Sequence, residues 1–359
     1  MSASPTPAGK TETRDVAMKW IFLAPFNSDL KDVWLFRHGN LPGHSAQTVP
    51  KSYQHDRSRS SSGLREWRDF LWHGLRGALA VRRSRGQVGI ITAFPQLTAI
   101  VALLKFLRII PKVPVVAWYF NMNRPYQGFK GALARAVLHQ IDCFVVHSRA
   151  EISTYSQWLQ LPQDRFSFVP LTAVVPEVAA NLAIVADPNK PYVLAMGSAN
   201  RDYRTLMAAV AVLGYPTVVV AGAHAVEGLN VPGNVQVRSG LTITECHTLA
   251  KQAAVNVIPI ASVGAASGQV TLIESMMLGA PLVVTRCAGT EDYIEDGADA
   301  LLVPPQDVAA MGAAIARLWH APELRARLAE KAKDHAVTQY TPEAVVRQLG
   351  EILNRFKRP

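Results

Sequence analysis

Two series of short apolar runs, each run followed by a helix-patterned segment, constrain the fold of this 359-residue chain more than any other feature. The first series reads as a strand at 18–26, a helix from Leu64, and a strand at 87–94. A helix at 98–109, a strand at 113–120, a helix at 129–139, a strand at 143–147 and a helix at 149–159 complete it. Pro170, Pro176 and Pro188 then mark a connector, and the alternation restarts. The second series has strands at 192–196, 217–221, 235–237, 255–258 and 281–285, with helices at 203–213, 244–252 and around Glu274. A helical region at 308–334 and a terminal helix from Tyr340-Thr-Pro342 close the chain. Strands that are apolar throughout, alternating with helices, predict an α/β fold with parallel sheets covered on both faces. The expected division is a flexible tail at 1–17, a first unit at 18–175, a connector at 176–189 and a second unit at 190–338. Residues 339–359 form a last helix that packs back on the first unit.

Composition narrows the class. Hydrophobic residues at 49% and charged residues at 18% describe a globular chain. The most apolar region, 88–120, is broken by Pro95, Lys105, Arg108, Pro111, Lys112 and Pro114, so no spanning helix is expected. The polar N-terminus lacks an apolar signal core. Cys143, Cys246 and Cys287 have neither metal nor redox spacing and read as small buried hydrophobes of a reducing, cytoplasmic compartment. Charge is uneven: residues 1–185 hold 22 Lys+Arg against 11 Asp+Glu, whereas residues 186–359 hold 15 against 16. The first half is therefore the one suited to an anionic surface. Phospholipid is preferred to nucleic acid, because no aromatic-basic RNA motif accompanies the charge.

The chemistry is most explicit in Ser267-Gly-Gln-Val-Thr-Leu-Ile-Glu274-Ser-Met-Met-Leu-Gly279-Ala-Pro281-Leu-Val-Val, followed by Gly297 and Leu301-Leu-Val-Pro-Pro305. A tight loop opening a helix aims backbone N–H groups and the positive end of the helix dipole at an anion. The backbone of Gly268 and Gln269, with Thr271, is placed for phosphate. Glu274, about two turns on, can accept from sugar hydroxyls; the bland alternative is an exposed helix residue. The restart of the second half, Ala195-Met-Gly197-Ser198-Ala-Asn-Arg201-Asp202-Tyr203, adds a strand ending in glycine and a guanidinium whose planar fork matches diphosphate. Arg201 is either that grip or the partner of a surface acid. Asp202 reads as a helix cap.

This order of elements resembles the donor-binding half of GT-B glycosyltransferases, most closely glycosyltransferase family 4. The resemblance covers residues 190–335 well and 85–160 loosely, while 27–65 match nothing in it. It implies two Rossmann-like domains facing a cleft, with a nucleotide diphosphate sugar as donor. It also implies retaining transfer to a lipid-linked or polysaccharide acceptor, and no metal or other cofactor. Members carry Glu-x7-Glu here; counting back from Glu274 puts the first position at Ala266, which has no carboxylate. Members place an Arg and a Lys after the glycine; here the first position is Ser198, and Arg201 is the remaining cation. Many carry His where Phe120 stands, near the acceptor, which leaves Asn121 as the nearest polar candidate for a catalytic role or for capping a loop. A nucleotide-sugar epimerase or a non-catalytic partner of the same fold are the alternatives.

Three further expectations concern the first half. His38 and His44 line the acceptor side or are ordinary loop histidines. Ser148 caps the helix that follows it, with Glu151 completing a capping box. Leu64, Trp67, Leu71, Leu75, Ala78 and Leu79 share one helical face beside Arg65, Arg76, Arg82, Arg83 and Arg85. This face meets an anionic membrane peripherally, or it packs onto the sheet with the arginines solvated.

Overall fold

The computed structural model describes residues 18–25, 41–53, 63–122, 125–179, 190–262, 264 and 266–357. The tail at 1–17, His38 and most of the connector lie outside the described residues. The first domain runs β1 (Met18–Leu23), β2 (His44–Val49), α1 (Leu64–Arg83), β3 (Val88–Ala93) and α2 (Pro95–Phe106). It continues through β4 (Val115–Trp118), α3 (Gly128–Leu138), β5 (Cys143–Val146), α4 (Arg149–Leu159) and β6 (Phe166–Phe168). The second runs β7 (Val193–Met196), α5 (Tyr203–Leu213), β8 (Thr217–Val220), β9 (Val235–Arg238), α6 (Ile243–Gln252) and β10 (Val255–Ile258). There follow α7 (Gln269–Met277), β11 (Leu282–Thr285), β12 (Leu301–Val303), α8 (Val308–His320), α9 (Pro322–Gln339) and α10 (Pro342–Asn354).

Each domain holds one six-stranded parallel sheet, in the orders β2-β1-β3-β4-β5-β6 and β12-β11-β10-β7-β8-β9. The interior strands β4, β5, β10 and β11 are buried residue by residue, which is why they read as apolar at every position but Asn256 and Thr285. Helices α1, α2 and α4 cover one face of the first sheet around Phe70, Val101 and Phe144. The other face is covered by α10, whose Val345, Val346, Leu349 and Leu353 pack on Met18, Trp20 and Phe22. His44 fixes that contact: it accepts from Trp20 Nε1 at 3.0 Å and lies 3.0 Å from Asn354 Oδ1. Its role is therefore structural and not on the acceptor side.

Several elements differ from the sequence expectation for identifiable reasons. Strand β2 is an edge strand of His-Ser-Ala-Gln-Thr-Val, too polar to show an apolar run. The helical region 308–334 is two helices, because Pro322 has no N–H to continue α8 and instead opens α9 at its first turn. Helix α1 buries Phe70, His73, Gly74, Gly77, Ala78 and Val81. Of the expected stripe only Ala78 is fully buried, while Trp67 and Leu75 pack at its margin. The reason lies in two glycines: a Cβ at Gly77 would meet Leu23 Cδ2 at 2.6 Å, and one at Gly74 would meet Ile100 Cγ2 at 2.7 Å. The helix makes its closest approach where side chains are absent, and a pattern of large residues does not register that.

Candidate functional site

All strands within each sheet are parallel, so their carboxyl ends gather along one edge, the position where open α/β sheets keep their sites. The two edges meet. His147, just after β5, has its carbonyl bound by Gln269 Nε2 at 2.6 Å and by Tyr293 Oη at 2.9 Å. The Leu171 N–H donates to the same tyrosine at 2.9 Å.

On the second domain, β7 ends at Met196 and Gly197, the latter at φ +109. Arg201 folds back over that glycine: a Cβ there would stand 2.6 Å from Arg201 Nη2, so only glycine admits the guanidinium. Arg201 donates to Met196 O at 3.0 Å, to Ala199 O at 2.9 Å and to Thr271 Oγ1 at 3.2 Å. The last bond ties the β7 loop to the first turn of α7. Among the described residues no carboxylate pairs with Arg201, and burial pulls its pKa downward. A half-buried cation held by neutral groups favours an anionic visitor. Asp202 caps α5, accepting from Thr205 N at 3.1 Å and from Thr205 Oγ1 at 2.6 Å. Ser198 Oγ accepts from Gly222 N at 2.8 Å and steadies the loop after β8.

Helix α7 opens from Gly268, at φ +80, and among the described residues no side chain caps its first turn. Asn200, itself at φ +54, braces the loop before it by donating to Ser267 Oγ at 2.9 Å and accepting from Ser262 N at 2.9 Å. Glu274 is 30% exposed, with Oε2 3.5 Å from His247 Nε2 on α6. Burial raises its pKa, and the His247 neighbour opposes that rise. The pairing with His247 crosses between helices and has no local sequence signature. Gly197, Arg201, Gly268, Thr271 and Glu274 thus converge on one wall.

The Gln269 side chain is 5% exposed and spent on the other domain, so it adds only its backbone to that wall. One expectation is corrected here. Ser148 stands at the N-cap of α4 but makes no cap bond. Its hydroxyl donates to Asp292 Oδ2 at 3.1 Å, and the Arg149 N–H donates to the same oxygen at 2.7 Å. A carboxylate from the second domain therefore takes the helix end, a charged partner better suited than a hydroxyl to the dipole.

On the first domain, Asn121 Nδ2 reaches Ala266 O at 3.4 Å, so the candidate catalytic residue stands opposite the position where the resemblance expects a glutamate. Phe120 packs inward on Phe144 and Tyr155. Near it, Phe94 after β3 and Tyr119 after β4 are stacked at 5.9 Å, both at positive φ (68 and 54). Such backbone is an outlier for bulky side chains and collects at functional sites. Tyr155 Oη accepts from the Met122 N–H at 2.9 Å and donates to Glu151 Oε1 at 3.1 Å, anchoring the loop that carries Asn121. Burial pushes the Glu151 carboxyl up to about 7, against the lowering effect of that tyrosine. No sequence signal marks the aromatic pair, because positive φ at a tyrosine leaves no trace in composition.

Comparison with known proteins bears on the fold. Residues 190–321 match the family model described as glycosyl transferases group 1. An 83-residue stretch is 36% identical to the alpha-D-kanosaminyltransferase of Streptomyces kanamyceticus, covering 23% of this chain and 22% of that protein. Sucrose-phosphate synthase from Thermosynechococcus elongatus superposes with a TM-score of 0.67 at 19% identity, over 94% of this chain and 98% of the other. Anabaena HepE in complex with UDP gives 0.68 at 12% identity, over 94% and 100%. The chain has the two-domain GT-B fold, and its residues 190–321 are similar to glycosyl transferases group 1.

Proposed function

We propose that this protein transfers a glycosyl group from a nucleoside diphosphate sugar, held by the second domain, to an acceptor hydroxyl presented by the first. The observation that carries the reading is Arg201, a half-buried cation with no described carboxylate partner, tied to the uncapped first turn of the helix that also bears Glu274. The solved HepE structures with UDP and with UDP-glucose support a donor of this class. In the reaction the bond between the anomeric carbon and the β-phosphate oxygen breaks and a bond to the acceptor oxygen forms. The acceptor proton passes to the departing diphosphate, whose charge Arg201 and the α7 N–H groups stabilise without a metal. Glu274 accepts from the nucleotide ribose, and Asn121 with the Phe94–Tyr119 pair borders the acceptor. Family resemblance argues for retention, for a lipid-linked or glycan acceptor, and for cytoplasmic work at an anionic membrane surface. Radiolabelled nucleotide sugars incubated with a membrane extract test this: label should enter a lipid or polymer fraction. Epimerised nucleotide, or donor binding with no turnover, would overturn it.

Ala266 favours one second reading, a site that binds but does not react. Its backbone is met by Asn121 and it is 8% exposed, so the wall is closed by packing rather than left as a gap. Ala266→Glu is therefore expected not to raise transfer activity. A large gain in a donor-turnover assay would show the parent site to be degenerate.

A further inference from the structure

Helix α1 has two apolar faces, and among the described residues only one is buried by the fold. Leu64, Leu71, Trp72 and Leu79 are 91%, 38%, 60% and 45% exposed. At 3.6 residues per turn they lie within an arc of about 100°, roughly opposite the buried face. Arg65, Arg76 and Arg83 run along one edge of this arc, and Arg68 sits within it. On that edge α1 and the edge strand β2 enclose a groove of about 270 Å³, whose lining includes Lys19, Gln47, Arg76, Leu79 and Arg83. Among the described residues no Asp or Glu lines it. Arg76 is anchored by donating to Pro50 O at 3.0 Å, which fixes its guanidinium at the groove mouth. Arg82, by contrast, is spent on Ile109 O at 3.1 and 2.9 Å.

We infer that this face docks on a bilayer of anionic phospholipid, with a lipid phosphate held between Lys19, Arg76 and Arg83 while Trp72 and Leu79 enter the interfacial layer. The apolar arc alone would suit many partners. Three cations converging beside it without an acid select a surface rich in phosphate, and the indole supplies an apolar body for that boundary. The surplus of 22 basic over 11 acidic residues in 1–185 gives the same half the long-range attraction. The inference rests on the membrane part of the preceding reading and is independent of the donor-site assignment.

Liposome flotation tests it, with neutral phosphatidylcholine vesicles against vesicles that also contain phosphatidylglycerol. The parent should float only with the anionic vesicles. Lys19→Gln with Arg76→Gln and Arg83→Gln should weaken binding roughly a hundred-fold. The same loss of charge on the second domain, Arg317→Gln with Arg327→Gln and Lys331→Gln, should leave it unchanged. Trp72→Ser with Leu79→Ser should weaken it about ten-fold or more, and thermal melts confirm that each variant is folded. Equal flotation on neutral vesicles would overturn the anionic phosphate as the recognised group, and none on either would overturn the membrane reading itself. Equal weakening by the two charge variants would overturn the phosphate groove while leaving that reading intact. Inorganic phosphate binding in the groove without vesicle binding would overturn the lipid as its source.

Discussion

Arg201→Ala is expected to weaken UDP binding at least ten-fold in a calorimetric titration, with the protein still folded. A charge-assisted hydrogen bond is worth about 1.5–3 kcal/mol, and a diphosphate offers the guanidinium more than one. Because Arg201 also bonds Met196 O, Ala199 O and Thr271 Oγ1, its loss loosens the link between the β7 loop and α7. Arg201→Lys separates the two effects: it keeps a charge but not the planar fork, so it should recover only part of the affinity. Thr271→Val removes the acceptor and leaves the cation, and should cost far less than Arg201→Ala. Glu274→Ala is expected to weaken the nucleotide and to leave inorganic diphosphate unaffected, since the partner proposed for it is a ribose hydroxyl. If Arg201→Ala and Glu274→Ala both bound UDP like the parent, the donor wall would be misassigned.

The second large effect concerns Glu151. Its folded pKa of about 7 lies above the ordinary carboxylate value of 4.5, burial being the main cause. The fold therefore prefers the protonated acid, and this contribution is complete below the unfolded value and is lost as pH rises through about 7. Between about pH 5.5 and about pH 8 the parent should lose about 2 kcal/mol from this group. Glu151→Gln keeps an acceptor for Tyr155 and carries no charge to bury. Its stability relative to the parent, measured by denaturant unfolding, should increase with pH over that window. A difference that stays flat across the window would show that Glu151 is ionised in the fold at no cost. His147, lowered to about 4 by burial, acts below its ordinary value of 6.5, and its effect cancels between parent and variant in this comparison.

Much of the architecture was readable because buried parallel strands leave a direct trace. Val255–Ile258 and Leu282–Thr285 are apolar at almost every position because both faces are covered. What escaped was carried by small, polar or distant residues. Gly74 and Gly77 set the packing face of α1, and large-residue periodicity points elsewhere. Strand β2 is half-polar and paired on one side only. In the site, Gly197, Arg201, Gly268, Thr271 and Glu274 were identifiable from two local motifs, and the fold brings them together. The partners that fix the cleft are far apart in sequence. Asp292 caps a helix 143 residues earlier, and Gln269 reaches a carbonyl 122 residues away. Local chemistry proposes Ser148 as the cap and the Gln269 backbone as a phosphate contact; the meeting of two domains gives the cap to Asp292 and takes up the Gln269 side chain.

Amide hydrogen exchange of the full chain with and without UDP tests the central claim most directly. The account predicts slowed exchange in residues 196–202 and 267–275, the β7 loop and the opening of α7, and loss of that protection when Arg201→Ala and Glu274→Ala are combined. Protection confined to other segments, or unchanged protection in the double variant, would contradict it.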